Sequence, residues 1–119
     1  MNQLKRTIWE TYAQAWKEPS REAKVLALGQ SVSPDCVYTD PMTIARGRDE
    51  LIQYMLDFHK QVPGSHFPLT YFLDHHNVSI ARWNAVAGDG TVIGDGMSYG
   101  QYGEDGRLVA MTGFFELPK

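Results

Sequence analysis

Cys36 is the only cysteine in the 119 residues, so no internal disulfide can form and nothing points to an oxidising compartment. An excess of positive charge is also missing. Eleven Lys and Arg stand against 14 Asp and Glu, for a formal charge of −3, and the basic residues are scattered, which argues against a nucleic-acid partner. No apolar run is long enough to cross a bilayer. No apolar stretch follows Lys5-Arg6, so the start does not read as a signal peptide and the cytoplasm is the expected location. Without a secretion signal, the sequon Asn77-Val78-Ser79 reads as accidental. A zinc set is missing as well: His75 and His76 are adjacent in a turn, where neighbours are expected to diverge, and no other Cys or His completes a ligand spacing. The glycines between positions 88 and 100 fall in predicted sheet rather than ahead of a helix, which excludes a phosphate-binding loop. Neither a metal nor a cofactor is therefore expected. What is present is 43% hydrophobic residues, enough for the core of a single domain over residues 1–119.

Leu4, Ile8, Tyr12 and Trp16, with Ala15 beside them, predict one apolar stripe on a helix over about residues 2–17. Pro19 stops it, and Ser20 is the expected N-cap of a second helix that ends at Gly29 and Ser33-Pro34-Asp35. A short extended run over 36–39 and a loop over 41–46 follow. Asp49 and Glu50 then open a third helix reaching Val62, where Pro63-Gly64 ends it. From Phe67 onward the pattern is antiparallel sheet: strands over 67–73, 78–87, 91–102 and 107–117, with Asp89-Gly90 and Asp105-Gly106 as hairpin turns. Gly94, Gly96 and Gly100 on one strand imply a strongly bent sheet or a close approach by another group.

Asp40 is the residue that suggests chemistry. It ends the apolar run Val37-Tyr38-Thr39 directly before Pro41, which points it into a hollow, where partial burial favours its neutral form and makes it a better base. The competing reading is a turn-starting Asp that accepts from backbone amides. Tyr12 is either a hydrogen-bond donor aimed into the hollow or a core aromatic. His66 is a second acid–base candidate because imidazole titrates near neutrality, set against a solvated loop histidine; His59 reads as a satisfied edge histidine. Trp16, Tyr38, Tyr54, Phe58, Trp83 and Phe114 are the expected pocket lining for a small apolar molecule. Strand alternation puts Asp95 and Ser98 on opposite faces unless a bulge intervenes.

Thr11-Tyr12-Ala13-Gln14-Ala15-Trp16, Tyr38-Thr39-Asp40-Pro41, Gly47-Arg48-Asp49-Glu50-Leu51, Arg82-Trp83 and Asp105-Gly106-Arg107-Leu108 occur in the order seen in the nuclear-transport-factor-2-like superfamily. Within it the chain resembles the SnoaL-like and ketosteroid-isomerase-like proteins over nearly its whole length. The resemblance implies an α+β fold, a cone-shaped, strongly curved, antiparallel or mixed sheet wrapped around N-terminal helices, with an internal cavity. It also implies cofactor-free acid–base chemistry, as an isomerase or polyketide cyclase, on a hydrophobic carbonyl compound. Asp40 matches the catalytic base of the ketosteroid isomerases and Tyr12 their helix-borne donor. Ser98 stands where that family has its second, protonated-Asp donor, a departure that replaces a carboxylic acid by a shorter and weaker acid. Asp95 is the reserve for that position. A non-catalytic binding protein, or a dimeric interaction module of the same fold, are the alternatives. A homodimer through the uncovered outer face of the sheet is expected in each case, with Ile80, Val86 and Phe115 as candidate contacts.

Overall fold

Pro19 decides how the first two helices are joined. The computed structural model describes residues 2–117, and its first helix, α1, spans Asn2–Lys17. The carbonyl of Ala15 should receive the N–H four residues on, but position 19 is proline and has none. The ammonium of Lys24, on α2 (Arg21–Ser31), takes its place and donates to that carbonyl at 2.8 Å. Ser20 caps α2 as expected, its hydroxyl accepting from Ala23 N at 3.1 Å. Lys24 is completely buried, and burial pushes its pKa down from 10.5 to about 8.

That burial carries a pH signature. Below about 8 the lysine is protonated whether the chain is folded or not, so the folded state bears the full cost of a buried charge. Between about 8 and 10.5 the unfolded chain still holds the proton that the folded one has released, so stability rises with pH. The gain is expected to be about 1–3 kcal/mol across that window, and Lys24→Met is expected to flatten it. Urea unfolding midpoints at pH 7 and pH 10 would measure both.

The buried stripe of α1 consists of Trp9, Tyr12, Ala15 and Trp16, whereas Leu4 is exposed. α2 continues through Gly29 to Ser31 and passes into strand β1 (Val32–Asp40) without a loop. Two arginines hold this junction. Arg48 donates to Val32 O at 3.0 and 2.6 Å, and Arg107 donates to Gly29 O at 3.1 Å. β1 therefore starts four residues before the expected Cys36. Between Val32 and Val37 it makes five steps against the two that separate Leu108 and Ala110 on the neighbouring strand, and this irregular stretch accommodates Pro34.

The expected loop over 41–46 is instead a hairpin. Thr43–Arg46 forms edge strand β2, antiparallel to β1, around a turn at Pro41-Met42. α3 (Gly47–Gln61) follows, then β3 (Leu69–His75), β4 (Val78–Val86), β5 (Val92–Tyr102) and β6 (Leu108–Phe114). The sheet runs β2-β1-β6-β5-β4-β3, with β1 and β6 parallel and every other pair antiparallel. It is a mixed, open sheet with helices on its inner side, α3 against β1 and β2, and α1 against β3.

The inner face of β5 is kept low by glycine. A Cβ at Gly96 would lie 2.4 Å from the Trp83 ring and 2.7 Å from Phe114 O, and one at Gly100 would lie 3.0 Å from Trp9, Leu108 and Ser79. Glycine here answers a close approach by large side chains.

Candidate functional site: an aromatic cavity with Asp40 at its base

A cavity of ≈ 390 Å³ opens between α1, α3 and the inner face of the sheet. Trp16 is the hub of its wall, with ring centroids 5.7 Å from Tyr38, 6.0 Å from Tyr54 and Phe58, and 5.5 Å from Phe67. Phe67 continues the wall to Trp83 at 5.3 Å, and Trp83 to Phe115 at 6.2 Å.

Asp40 is 8% exposed and lines this cavity. Its two oxygens have different duties. Oδ1 accepts from Met42 N at 2.8 Å and Thr43 N at 3.1 Å, the turn-building role. Oδ2 accepts from Tyr38 OH at 2.7 Å and Tyr54 OH at 2.8 Å. Asp40 thus builds the turn with one oxygen and meets two cavity hydroxyls with the other. Tyr38 is buried and Tyr54 half-buried. Burial is the main cause that raises the pKa of each, and donation to Asp40 adds to it, so both remain protonated at neutral pH.

Two other hydroxyls face the same cavity in the opposite sense. Tyr12 OH accepts from Trp16 Nε1 at 3.1 Å, and Ser98 Oγ accepts from Trp83 Nε1 at 3.0 Å. An indole N–H can only donate. Each hydroxyl thus has its acceptor side occupied and its own proton without a partner among the described residues. Burial raises the pKa of Tyr12 well above the ordinary phenol value, so that proton stays in place. The cavity has an acceptor pole at Asp40 and a donor pole at Tyr12 and Ser98.

Trp16, Tyr38, Tyr54, Phe58 and Trp83 all line the cavity, as expected from the sequence. Phe114 does not; it is 58% exposed on the outer face of the sheet, and Phe115 takes the inner position. Phe115 was expected on the outer face, so this pair exchanges roles. His66 lies outside the lining: its backbone pairs with Val86, and its ring Nδ1 is 3.4 Å from Gly64 O. His59 Nε2 lies 3.3 Å from Ser65 O, a satisfied edge position. Ala85 pairs with Gly94 and Val86 with Val92, so Ile93 bulges out of β5; from Asp95 to Ser98 the register is regular, which keeps the two on opposite faces, and Asp95 borders the cavity from an exposed position at its rim. Ser98 stays on the floor, and Asp95 does not replace it. His75 and His76 do not diverge. His76 has φ +51°, and the two Nδ1 atoms come within 3.1 Å, yet no group of three metal-ligating side chains exists among the described residues.

Trp9, Phe67 and Gly113 were not singled out from the sequence. Trp9 lies three residues before Tyr12 on the same helical face, a signal the four-residue stripe through Leu4 obscured. A Cβ at Gly113 would point between Asp40 Cβ, Ser98 Oγ and Tyr38 OH at 3.6, 3.7 and 3.8 Å.

The model of the SnoaL-like domain matches residues 9–111. The chain belongs to the SnoaL-like family. No curated protein matches it in sequence. Solved structures share this SnoaL-like fold. A provisionally assigned isomerase of the SnoaL-like family from Agrobacterium tumefaciens is 24% identical over 97% of this chain and 99% of its own, with a TM-score of 0.88. A provisionally assigned polyketide cyclase from Sinorhizobium meliloti is 14% identical over 90% and 93%, with a TM-score of 0.71. A protein of ketosteroid isomerase-like fold from Catenulispora acidiphila, solved with trimethylamine, is 13% identical over 92% and 85%, with a TM-score of 0.75. In this SnoaL-like chain the cavity lies between helices and sheet, and no helix among its described residues is long and apolar enough to cross a membrane.

Proposed function

We propose that the protein is a cofactor-free acid–base enzyme that enolises a hydrophobic carbonyl compound, of the isomerase or cyclase type. The pairing of an acceptor, Asp40, with two hydroxyls whose protons are free, Tyr12 and Ser98, in one aromatic cavity supports this reading. A carbonyl oxygen set between Tyr12 and Ser98 accepts a hydrogen bond from each hydroxyl, both of which keep their protons. Its α-carbon then faces Asp40. The C–H bond breaks, its proton passes to Oδ2, and its electron pair forms the enolate C=C while the carbonyl π pair moves to oxygen. Oδ2 must release one tyrosine to accept that proton, and Tyr54, less buried than Tyr38, is the one free to yield. Return of the proton at another carbon gives an isomer; attack of the enolate on a second carbonyl closes a ring. The test is deuterium exchange of α-hydrogens in bound cyclic ketones, followed by NMR in the wild type and in Asp40→Asn.

A second reading, a binding protein without turnover, has its own support. The four hydrogen bonds of Asp40 fill the lone-pair positions of a carboxylate before any ligand arrives. The solved relatives include one bound to trimethylamine and one co-crystallised with polyporic acid, which supports small-molecule binding in either case.

The outer face of the sheet supports a homodimer in both readings. Ile44, Tyr71, Leu73, Tyr99 and Phe114 are exposed there, and Ile80 lies among them, paired with Leu73 and Tyr99. Light scattering at micromolar concentration is expected to give twice the chain mass for the wild type and the single mass for Leu73→Lys/Phe114→Lys. A monomeric wild type would remove the dimer and leave the cavity chemistry untouched.

A further inference from the structure

We infer that the ligand of this cavity carries a cationic nitrogen, a tertiary or quaternary ammonium group, held against the aromatic wall. This rests on the cavity being a ligand site, as proposed above, and adds the charge of what enters it.

Three features converge on that charge. The first is the balance of the lining. Asp40 lies at the base, Asp95 and Glu116 stand at the rim, and no Lys, Arg or His is among the lining residues. The ion pairs among the described residues are Arg6–Glu10 and Arg107–Asp105, so none of the three cavity carboxylates is neutralised by one. The second is the wall itself. Nine of the 20 lining residues are aromatic, and their ring faces carry the negative side of the quadrupole. A weakly hydrated alkylammonium gains from those faces, whereas an anion is repelled by rings and carboxylates alike. The third is the direction of the hydroxyls at the base. Tyr38 and Tyr54 both spend their protons on Asp40, so towards a ligand they present oxygen lone pairs only. A purely apolar carbonyl compound uses none of this negative potential. Once Asp40 has taken the proton, the enolate charge also has to persist with two ionised carboxylates at the rim. A substrate with its own ammonium group offsets that charge internally.

All three tryptophans of the chain line the cavity, so their emission reports occupancy directly. The intact protein is titrated with three probes of matched shape: benzyltrimethylammonium, its neutral carbon isostere neopentylbenzene, and phenylacetate. The cation is expected to bind at least about tenfold tighter than the neutral isostere, with phenylacetate weakest. Asp95→Asn/Glu116→Gln, changes at exposed positions, is expected to reduce the cation-to-neutral ratio severalfold. Equal or tighter binding of neopentylbenzene, or phenylacetate binding best, overturns the inference and leaves the cavity standing as a site. If no probe changes the emission at all, the inference and the ligand-site reading fall together.

Discussion

Asp40→Asn is expected to slow α-hydrogen exchange by about 10²–10⁴-fold, the usual worth of a positioned base, while affinity for a neutral ketone changes little. The substitution suits the geometry. The retained amide oxygen can still accept from Met42 N and Thr43 N, so the turn into β2 survives. The new NH₂ replaces Oδ2, and the Tyr38 and Tyr54 hydroxyls can rotate to accept from it. Asp40→Ala is the wrong comparison, because it orphans four donors at once and confuses loss of a base with loss of the fold. Circular dichroism and tryptophan emission of Asp40→Asn should match the wild type. A wild type that binds ketones and exchanges nothing, with Asp40→Asn indistinguishable from it, would establish the binding-protein reading and end the catalytic one.

Gly96→Ala is expected to destabilise the protein by about 1–3 kcal/mol, as overpacking of a filled core does, and to shrink the cavity. The added Cβ meets the Trp83 ring at 2.4 Å and the backbone oxygen of Phe114 at 2.7 Å. A ring can turn away, but the carbonyl belongs to the neighbouring strand, whose residue 114 pairs with Met97. Relief therefore requires β5 and β6 to separate or Trp83 to swing off Ser98, and with it goes the N–H that fixes the serine proton. Thermal unfolding reads the first effect. Loss of the tryptophan signal on ligand addition reads the second. An unchanged midpoint would mean that the two strands part at no cost.

Elements with strong punctuation were legible in the sequence. Pro19 with Ser20, Asp49 with Glu50, and the Asp-Gly turns each act through a local backbone rule, and helices and hairpins stand where those rules put them. Legibility failed where a distant group decides. α2 passes through Gly29 because Arg107, 78 positions away, meets its carbonyl. β2 was hidden because its turn is built by the Asp40 side chain rather than by glycine. The cavity wall was readable from its aromatics, but Phe114 and Phe115 exchanged places because strand facing flips with every residue. The two tryptophan–hydroxyl pairs span 4 and 15 positions; the first was within reach of helical geometry, whereas the second depends on a cross-strand register fixed only by the folded sheet.

Gly113 stands apart from Gly96 in what surrounds it. A methyl group there would rest at ordinary van der Waals distance from Asp40, Ser98 and Tyr38. The scaffold thus tolerates growth at one point of its floor and forbids it at the next strand. Cavity volume can be trimmed at position 113 without taxing the architecture, so the shape of this hollow is free to diverge while the folding instructions stay the same.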